Sequence, residues 1–132
     1  MRLYLDSSAL VKLVQREAES DALRRFLRLQ RTNRLVTSTL ARVEVVRAVL
    51  AGGPLAIAKA RRQLSRLDQI LLSPELLDRA ATLAPALKLR SLDAIHLAAT
   101  QVIGDELRAI VTYDLRMTDA ARSLALSVEA PT

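Results

Sequence analysis

Short apolar runs, separated by segments of helical periodicity, are the feature that most restricts how this chain can fold. The runs lie at residues 3–5, 35–37, 70–72, 109–112 and 126–128. Strands this short and apolar, with helices between them, favour a parallel sheet that is covered on both faces. We therefore predict an α/β fold, a three-layer α/β/α sandwich around a short parallel sheet, formed as a single domain by residues 1–132.

Helices are expected between and after these runs, where apolar residues recur every three to four positions. They are predicted at residues 9–15, 19–30, 40–50, 55–67, 73–87, 92–103 and 115–124. The hydroxyl residues Ser38, Thr39, Ser73 and Ser91 are predicted to cap the third, fifth and sixth of these helices. The Gly-Gly-Pro turn at residues 52–54 is the strongest break, but neither side of it is long enough for a separate α/β domain.

Missing residue types exclude much chemistry. The chain has no cysteine, which excludes a disulfide framework, a thiol nucleophile and any Cys-ligated metal site. Its single histidine, His96, excludes the paired-imidazole acid–base mechanism of metal-independent ribonucleases. The positions of its three glycines match neither the dinucleotide-binding fingerprint nor the Walker A motif.

The charge balance favours a polyanionic partner without identifying one. The net charge is +6, and cationic surfaces gain affinity for phosphates through counterion release. A basic isoelectric point is also common among small bacterial proteins, so the net charge alone does not establish nucleic acid as the partner. No apolar run approaches the ~20 residues of a membrane span, and the run before Asp6 is too short for a signal peptide. We expect a cytoplasmic protein with no membrane partner.

Four carboxylates stand where a parallel sheet of this kind places its ligands. Asp6 directly follows the first apolar run, and Asp114 follows the fourth after one residue. Glu44 lies on the helix after the second run, and Asp93 lies in the first turn of the helix at 92–103. Ligands of open parallel sheets bind in the crevice at the carboxyl ends of the strands. We therefore expect the four side chains to gather at one end of the sheet.

Each carboxylate also has an ordinary structural interpretation. Asp6 and Asp114 suit helix N-caps, Asp93 suits the positive end of a helix dipole, and Glu44 can pair with Arg47. The sequence around two of them favours a functional role instead. Glu44 shares an apolar helix face, and Asp93 is the only charged residue between 92 and 103. Buried carboxylates without a cationic partner usually pair or coordinate a metal. Carboxylates without a His or Cys cluster suit Mg²⁺ or Mn²⁺.

Four sequence motifs together resemble one known family. They are LDSSALVK at residues 5–12, LARVE at 40–44, LDAIHLAA at 92–99 and VTYD at 111–114. In this order and spacing, and over essentially the whole chain, they are similar to the motifs of the PIN-domain ribonucleases. Within that family they resemble the VapC toxins of bacterial toxin–antitoxin pairs. The third motif is the most specific of the four.

The resemblance implies a PIN-like fold and a Mg²⁺-dependent endoribonuclease, with Mn²⁺ as the substitute cation. The catalytic and metal-binding residues would be the acidic quartet of Asp6, Glu44, Asp93 and Asp114, acting through metal-activated water. The implied partners are an RNA substrate, a cognate antitoxin protein and a second copy of the chain in a homodimer. We expect an apolar antitoxin helix to pack into a groove near the first helices, with an Arg or Lys reaching the acidic quartet; the groove residues would be Leu10, Leu13, Val14 and Leu40.

Other residues in the motifs have roles that the sequence leaves open. Ser7 and Thr112 match small polar residues of the family near the first and last acids, and Asp119 is a candidate fifth acid. His96 lies one helical turn from Asp93, a position more typical of a packing or hydrogen-bonding residue than of a general base. Arg90 and Arg116 flank the site in sequence and are either phosphate contacts or solvated surface charges.

Two other classes of function remain open at this point. A response-regulator-like receiver domain also binds Mg²⁺ through acids at strand ends and acts as a switch. It would carry a pair of acids after its first strand, where this chain has Ser7 and Ser8 beside Asp6. A catalytically inactive PIN-fold domain that binds RNA or protein is the third class, and the presence of all four acids argues against it.

Overall fold

The computed structural model describes residues 1–132 and contains one sheet of five parallel strands. The strands are β1 (Arg2–Leu5), β2 (Arg34–Ser38), β3 (Asp68–Ile70), β4 (Leu107–Val111) and β5 (Val128–Glu129). Their order across the sheet is β3-β2-β1-β4-β5, so the chain builds outward from β1 on one side and then returns to the other. The predicted α/β fold with a short parallel sheet is confirmed.

Seven α-helices cover the two faces of this sheet. They are α1 (Ser7–Val14), α2 (Ser20–Leu29), α3 (Ala41–Val49), α4 (Gly53–Ser65), α5 (Pro74–Ala81), α6 (Ser91–Ile103) and α7 (Leu115–Ser123). Helices α1 to α4 pack against Leu3 and Leu5 on one face, and α5 to α7 pack against Tyr4 and Ile110 on the other. The two faces separate because successive strand side chains point in opposite directions.

The strand order places the site at the boundary between β1 and β4. Leu5 pairs with Val111, so the residues that follow each strand, from Asp6 and from Thr112, emerge side by side. The chain runs from β1 to β2 on one side of this boundary and from β4 to β5 on the other, which makes the boundary the topological switch point of the sheet. A receiver domain has the strand order 2-1-3-4-5, so the order found here excludes the receiver-like switch.

The fifth helix and third strand differ from their predicted bounds. Helix α5 ends at Ala81 instead of continuing to residue 87, because Ala84 and Lys88 adopt left-handed backbone conformations around a short 3₁₀ turn. These positive φ angles are uncommon for residues other than glycine and do not fit an α-helix. Strand β3 ends at Ile70, two residues before the predicted run ends, and Leu71 is exposed.

Three smaller expectations were also wrong. Ser91 does not cap α6, because it is the first residue of that helix and makes no capping hydrogen bond. Thr39 does not cap α3, because its hydroxyl accepts a hydrogen bond from the Leu72 backbone and so fastens the segment after β3. Leu10, Leu13 and Val14 do not offer a surface to an antitoxin helix, because they are buried in the chain's own core. No helix of the structure has both the length and the apolar character needed to cross a membrane.

Candidate active site

Asp6 lies at the centre of the switch point and is almost fully buried. Its Oδ1 accepts hydrogen bonds from the Ser8 hydroxyl at 2.6 Å and from the Ala9 backbone N–H at 3.1 Å, which makes it the N-cap of α1. Its Oδ2 accepts a hydrogen bond from the Thr112 hydroxyl. Burial raises the pKa of Asp6, and the hydrogen bonds from Ser8 and Thr112 oppose that rise without cancelling it.

Asp114 is held beside Asp6 by the loop that follows β4. Its Oδ1 caps α7 by accepting from the Arg116 backbone N–H at 2.9 Å. The Thr112 hydroxyl oxygen, which donates to Asp6, also accepts from the Asp114 backbone N–H at 3.1 Å. One threonine side chain therefore ties the first and fourth acids together, a role that the sequence left open.

Asp93 comes from the first turn of α6 and shares a cation with Asp114. The Arg90 guanidinium donates from Nε to Asp93 Oδ2 at 3.1 Å and from Nη2 to Asp114 Oδ2 at 3.4 Å. The expectation that Asp93 lacks a cationic partner is therefore wrong. The spacing of Arg90 and Asp93 could have predicted this pair, because side chains three positions apart on a helix lie within reach of each other.

Glu44 is half-buried on α3 and faces α6 rather than Arg47. Its Oε1 accepts from the Ser7 hydroxyl and from His96 Nε2, each at 2.7 Å. Burial raises the pKa of Glu44, but the hydrogen bonds from His96 and Ser7 outweigh that effect and lower the pKa below its usual value. Glu44 is thereby stabilised as a carboxylate.

The imidazole of His96 is buried between Glu44 and Tyr4. The Tyr4 hydroxyl lies 2.7 Å from Nδ1, on the opposite side of the ring from Glu44. Burial raises the pKa of Tyr4, so its hydroxyl keeps its proton and donates to Nδ1. The hydrogen-bond network then assigns the proton of the neutral ring to Nε2, which donates to Glu44. His96 therefore orients a carboxylate, in line with the hydrogen-bonding interpretation of its position.

The four acids lie at one end of the sheet but in three separate settings. Asp6 is surrounded by hydroxyls, Glu44 is paired with His96, and Asp93 and Asp114 share Arg90. In this conformation no three Asp, Glu or His side chains converge closely enough to hold one metal ion. Asp119 contacts none of the quartet and lines a neighbouring cavity together with Asp93.

The residues present nevertheless fit a hard divalent cation. All the ligands that the quartet offers are carboxylate oxygens, with the hydroxyls of Ser7 and Thr112 beside them. Asp6 is buried with no Lys or Arg in contact, so its charge is not compensated by any cation of the chain. A cation that bound here would offset the cost of burying that charge.

Carboxylates at the switch point of a parallel sheet define a class of small α/β proteins that suits metal-assisted phosphodiester chemistry. The family model of the PIN domain matches residues 3–123, and this chain belongs to the PIN-domain family, within its VapC ribonucleases. It is 51% identical over 129 residues to Ribonuclease VapC46 of Mycobacterium tuberculosis, covering 98% of this chain and 97% of that protein. Ribonuclease VapC35 of the same species is 44% identical over 131 residues, covering 98% of this chain and 96% of that protein.

Two solved structures share the fold at low sequence identity. Mycobacterium tuberculosis VapC20, described as a toxin that cleaves the sarcin–ricin loop, superposes with a TM-score of 0.75 at 18% identity, covering 98% of this chain and 99% of that one. VapBC2 from Rickettsia felis, bound to a DNA fragment from its promoter, gives a TM-score of 0.77 at 18% identity and covers 100% of both chains. The PIN-like architecture expected from the sequence motifs is confirmed.

Proposed function

We propose that this chain is a Mg²⁺-dependent endoribonuclease and the toxin of a toxin–antitoxin pair. The observation that carries the proposal is the presence of all four motif carboxylates at the carboxyl end of the sheet, in a chain 51% identical to a ribonuclease over 129 residues. Asp6, Glu44, Asp93 and Asp114 would hold Mg²⁺, or Mn²⁺ in its place. The bound cation would supply an activated water and stabilise the leaving oxygen of the phosphodiester.

The chain's own side chains prepare the carboxylates for this role. Ser8 and Thr112 fix the orientation of the Asp6 carboxylate through hydrogen bonds to its two oxygens. Ser7 and His96 hold Glu44 ionised and point its Oε1 in one direction. Oriented ligands lose less freedom on binding a cation, so these hydroxyl and imidazole contacts favour binding.

The activity is tested with purified protein and a labelled RNA pool. We expect cleavage in Mg²⁺, none in EDTA, and products that carry 5′-phosphate and 3′-hydroxyl ends. Asp6→Asn should abolish cleavage, whereas Asp78→Asn, which removes an exposed acid on α5, should leave it unchanged. Full activity in EDTA, or products that end in 2′,3′-cyclic phosphate, would contradict the mechanism. A folded wild-type protein that cleaves nothing would favour the inactive interaction domain instead.

The antitoxin and homodimer are part of the same proposal. The Rickettsia felis neighbour was solved as VapBC2, which supports a partner for this chain, and three apolar side chains on α3, on α4 and on the 3₁₀ turn between them are exposed. These side chains are Val43 at 57%, Leu50 at 49% and Leu55 at 85% exposure. An apolar antitoxin helix would cover this surface in place of the residues expected from the sequence.

Both partners are tested by expression alone and with the adjacent reading frame. We expect growth to stop with the chain alone and to recover with its neighbour, and we expect a dimer by size-exclusion chromatography with light scattering. Val43→Asp should weaken rescue by the antitoxin while RNA cleavage persists. Equal growth in both cultures would refute the antitoxin proposal, and a monodisperse monomer at micromolar concentration would refute the dimer.

A further inference from the structure

A cavity beside the acidic quartet has a charge pattern that the proposed catalysis does not use. It has a volume of about 340 Å³ and lies between the segment before α6, the first turn of α6, and α7. Its charged lining consists of Lys88, Arg90, Asp93, Arg116 and Asp119. The volume is within the range of small-molecule sites, which is roughly 300–1,000 Å³.

Two of the three cations of the cavity have no carboxylate partner. The side chains of Lys88 and Arg116 form no ion pair or side-chain hydrogen bond within the chain, and both are exposed. Most of the protein's Lys and Arg side chains form no ion pair, so these two differ from the rest by lining a cavity beside Asp93. Unpaired cations that line a concave site suit an anionic ligand.

Arg90 connects the cavity to the acidic quartet. Its guanidinium contacts Asp93 and Asp114, yet its side chain remains 53% exposed and lines the cavity. A ligand held by Lys88 and Arg116 would therefore lie next to the carboxylates that would hold the metal. A cation bound by Asp93 and Asp114 would compete with the guanidinium, which could then turn towards the cavity.

We propose that this cavity is a subsite for one phosphate of the RNA strand, bound by Lys88, Arg116 and the Arg90 guanidinium once a metal releases it from Asp93 and Asp114. The inference rests on the proposed ribonuclease function and adds to it the residues that hold the strand beside the cleavage site. Asp119 is the one cavity carboxylate without a cationic partner, and it opposes phosphate binding.

The first test measures RNA binding without cleavage. The fluorescence anisotropy of a fluorescein-labelled 12-nucleotide single-stranded RNA is titrated with the full chain in EDTA over a series of salt concentrations. Lys88→Ala and Arg116→Ala should each weaken binding about three- to ten-fold and reduce the salt slope by about 0.7, the value for one lost phosphate contact on a single strand. Arg122→Ala is the matched control, because it removes an exposed arginine from the same helix outside the cavity. Equal losses in Arg116→Ala and Arg122→Ala would overturn the subsite.

The second test separates a phosphate subsite from a cation site. Asp119→Asn should strengthen binding of the same RNA about two-fold and leave Mn²⁺ binding, measured by isothermal titration calorimetry, unchanged. Weaker Mn²⁺ binding in Asp119→Asn with unchanged RNA binding would assign the cavity to a cation and overturn the proposal. Arg90→Ala should bind Mn²⁺ more tightly, by about three-fold, because its guanidinium no longer competes for the two carboxylates.

The subsite and the proposed function can fail separately. If wild-type protein binds the RNA through Lys88 and Arg116 but cleaves no RNA in Mg²⁺, the ribonuclease proposal fails while the binding site stands. If RNA is cleaved but Lys88→Ala and Arg116→Ala change neither affinity nor salt slope, the function stands and the subsite is refuted. Arg90→Ala with unchanged Mn²⁺ affinity would refute the release of the guanidinium by metal.

Discussion

Replacing Asp6 by Asn should stabilise the folded protein in metal-free buffer at neutral pH. Asn retains the Oδ1 atom that accepts from the Ala9 backbone N–H, and Asn and Asp are comparable as N-caps. The substitution removes the buried carboxylate charge whose burial raises the pKa of Asp6. Each unit of that rise corresponds to ~1.4 kcal/mol of folding free energy at a pH where the group is ionised.

The gain is partly offset at the second oxygen. The Thr112 hydroxyl donates to Oδ2 in the native protein, and with Asn the direction reverses, so that Nδ2 donates to Thr112. The Thr112 hydroxyl then loses Oδ2 as its acceptor, and the loss of that hydrogen bond costs about 0.5–1 kcal/mol of stability. We therefore expect a net rise in the free energy of unfolding and in Tm, because removal of the buried charge outweighs the change in this one hydrogen bond.

The pH dependence identifies the cause. The unfolded Asp6 carboxyl has the ordinary pKa of 3.8, and the folded carboxyl ionises at a higher pH. The folded state therefore holds this proton more tightly, and wild-type stability falls as pH rises from 3.8 through the folded pKa. The extra stability of Asp6→Asn over wild type should be absent below pH 3.8 and should increase as the pH rises above 3.8. It should reach its full value once the folded carboxyl has ionised.

Urea unfolding of both proteins in EDTA, from pH 3.5 to 8, measures this difference. Asp6→Ala separates the charge from the cap, and it should be about 1 kcal/mol less stable than Asp6→Asn because the cap is lost. Added Mg²⁺ should stabilise wild type more than the variant. If Asp6→Asn is less stable than wild type at pH 7 in EDTA, the buried charge is already compensated by its hydroxyl partners, and our account of the site is refuted.

Three further predictions concern the supports of the site. Gly104 ends α6 with φ +63°, so Gly104→Ala should lower the free energy of unfolding by about 1–2 kcal/mol in urea, and an unchanged value would refute the strain. Tyr4→Phe removes the hydroxyl at His96 Nδ1 and should cost about 1 kcal/mol by the same assay; a fully neutral result would show that this bond is dispensable. Burial raises the pKa of Tyr113 to about 12, although the nearby Lys12 ammonium lowers it, so absorbance at 295 nm should show no tyrosinate below pH 11. A titration step near pH 10 would contradict that burial.

The fold was predictable because the strand signals are short and well separated. Residues 3–5 and 109–112 form β1 and β4 almost as expected, since their apolar runs are buried on both faces. The run at 70–72 misplaced β3, because an edge strand needs little apolar surface and pairs here through Asp68 and Gln69. The long fifth helix was wrong because periodicity continues past Ala81, whereas the backbone turns into a left-handed conformation at Ala84.

The candidate site was predictable in its acids and less so in their partners. Strand ends fix where Asp6 and Asp114 emerge, so topology alone brings them together. The contact of His96 with Glu44 joins residues 52 positions apart and depends on how α3 and α6 approach each other. The same holds for Thr112, whose hydroxyl reaches Asp6 across two loops. Side-chain pairings of this kind depend on tertiary packing, which periodicity does not specify.

The position of β1 at the middle of the sheet has a consequence for synthesis on the ribosome. Leu3 and Leu5 are fully buried in the finished protein, but one edge of their strand lacks its neighbour until β4 has been made. Asp6 and Thr112, which meet at that edge, are 106 residues apart, a stretch that takes roughly 5–20 s to translate. During that interval the nascent chain exposes an apolar strand edge, a kind of surface that is prone to aggregation. It also lacks an assembled carboxylate crevice, so any nuclease activity begins only after β4 has docked.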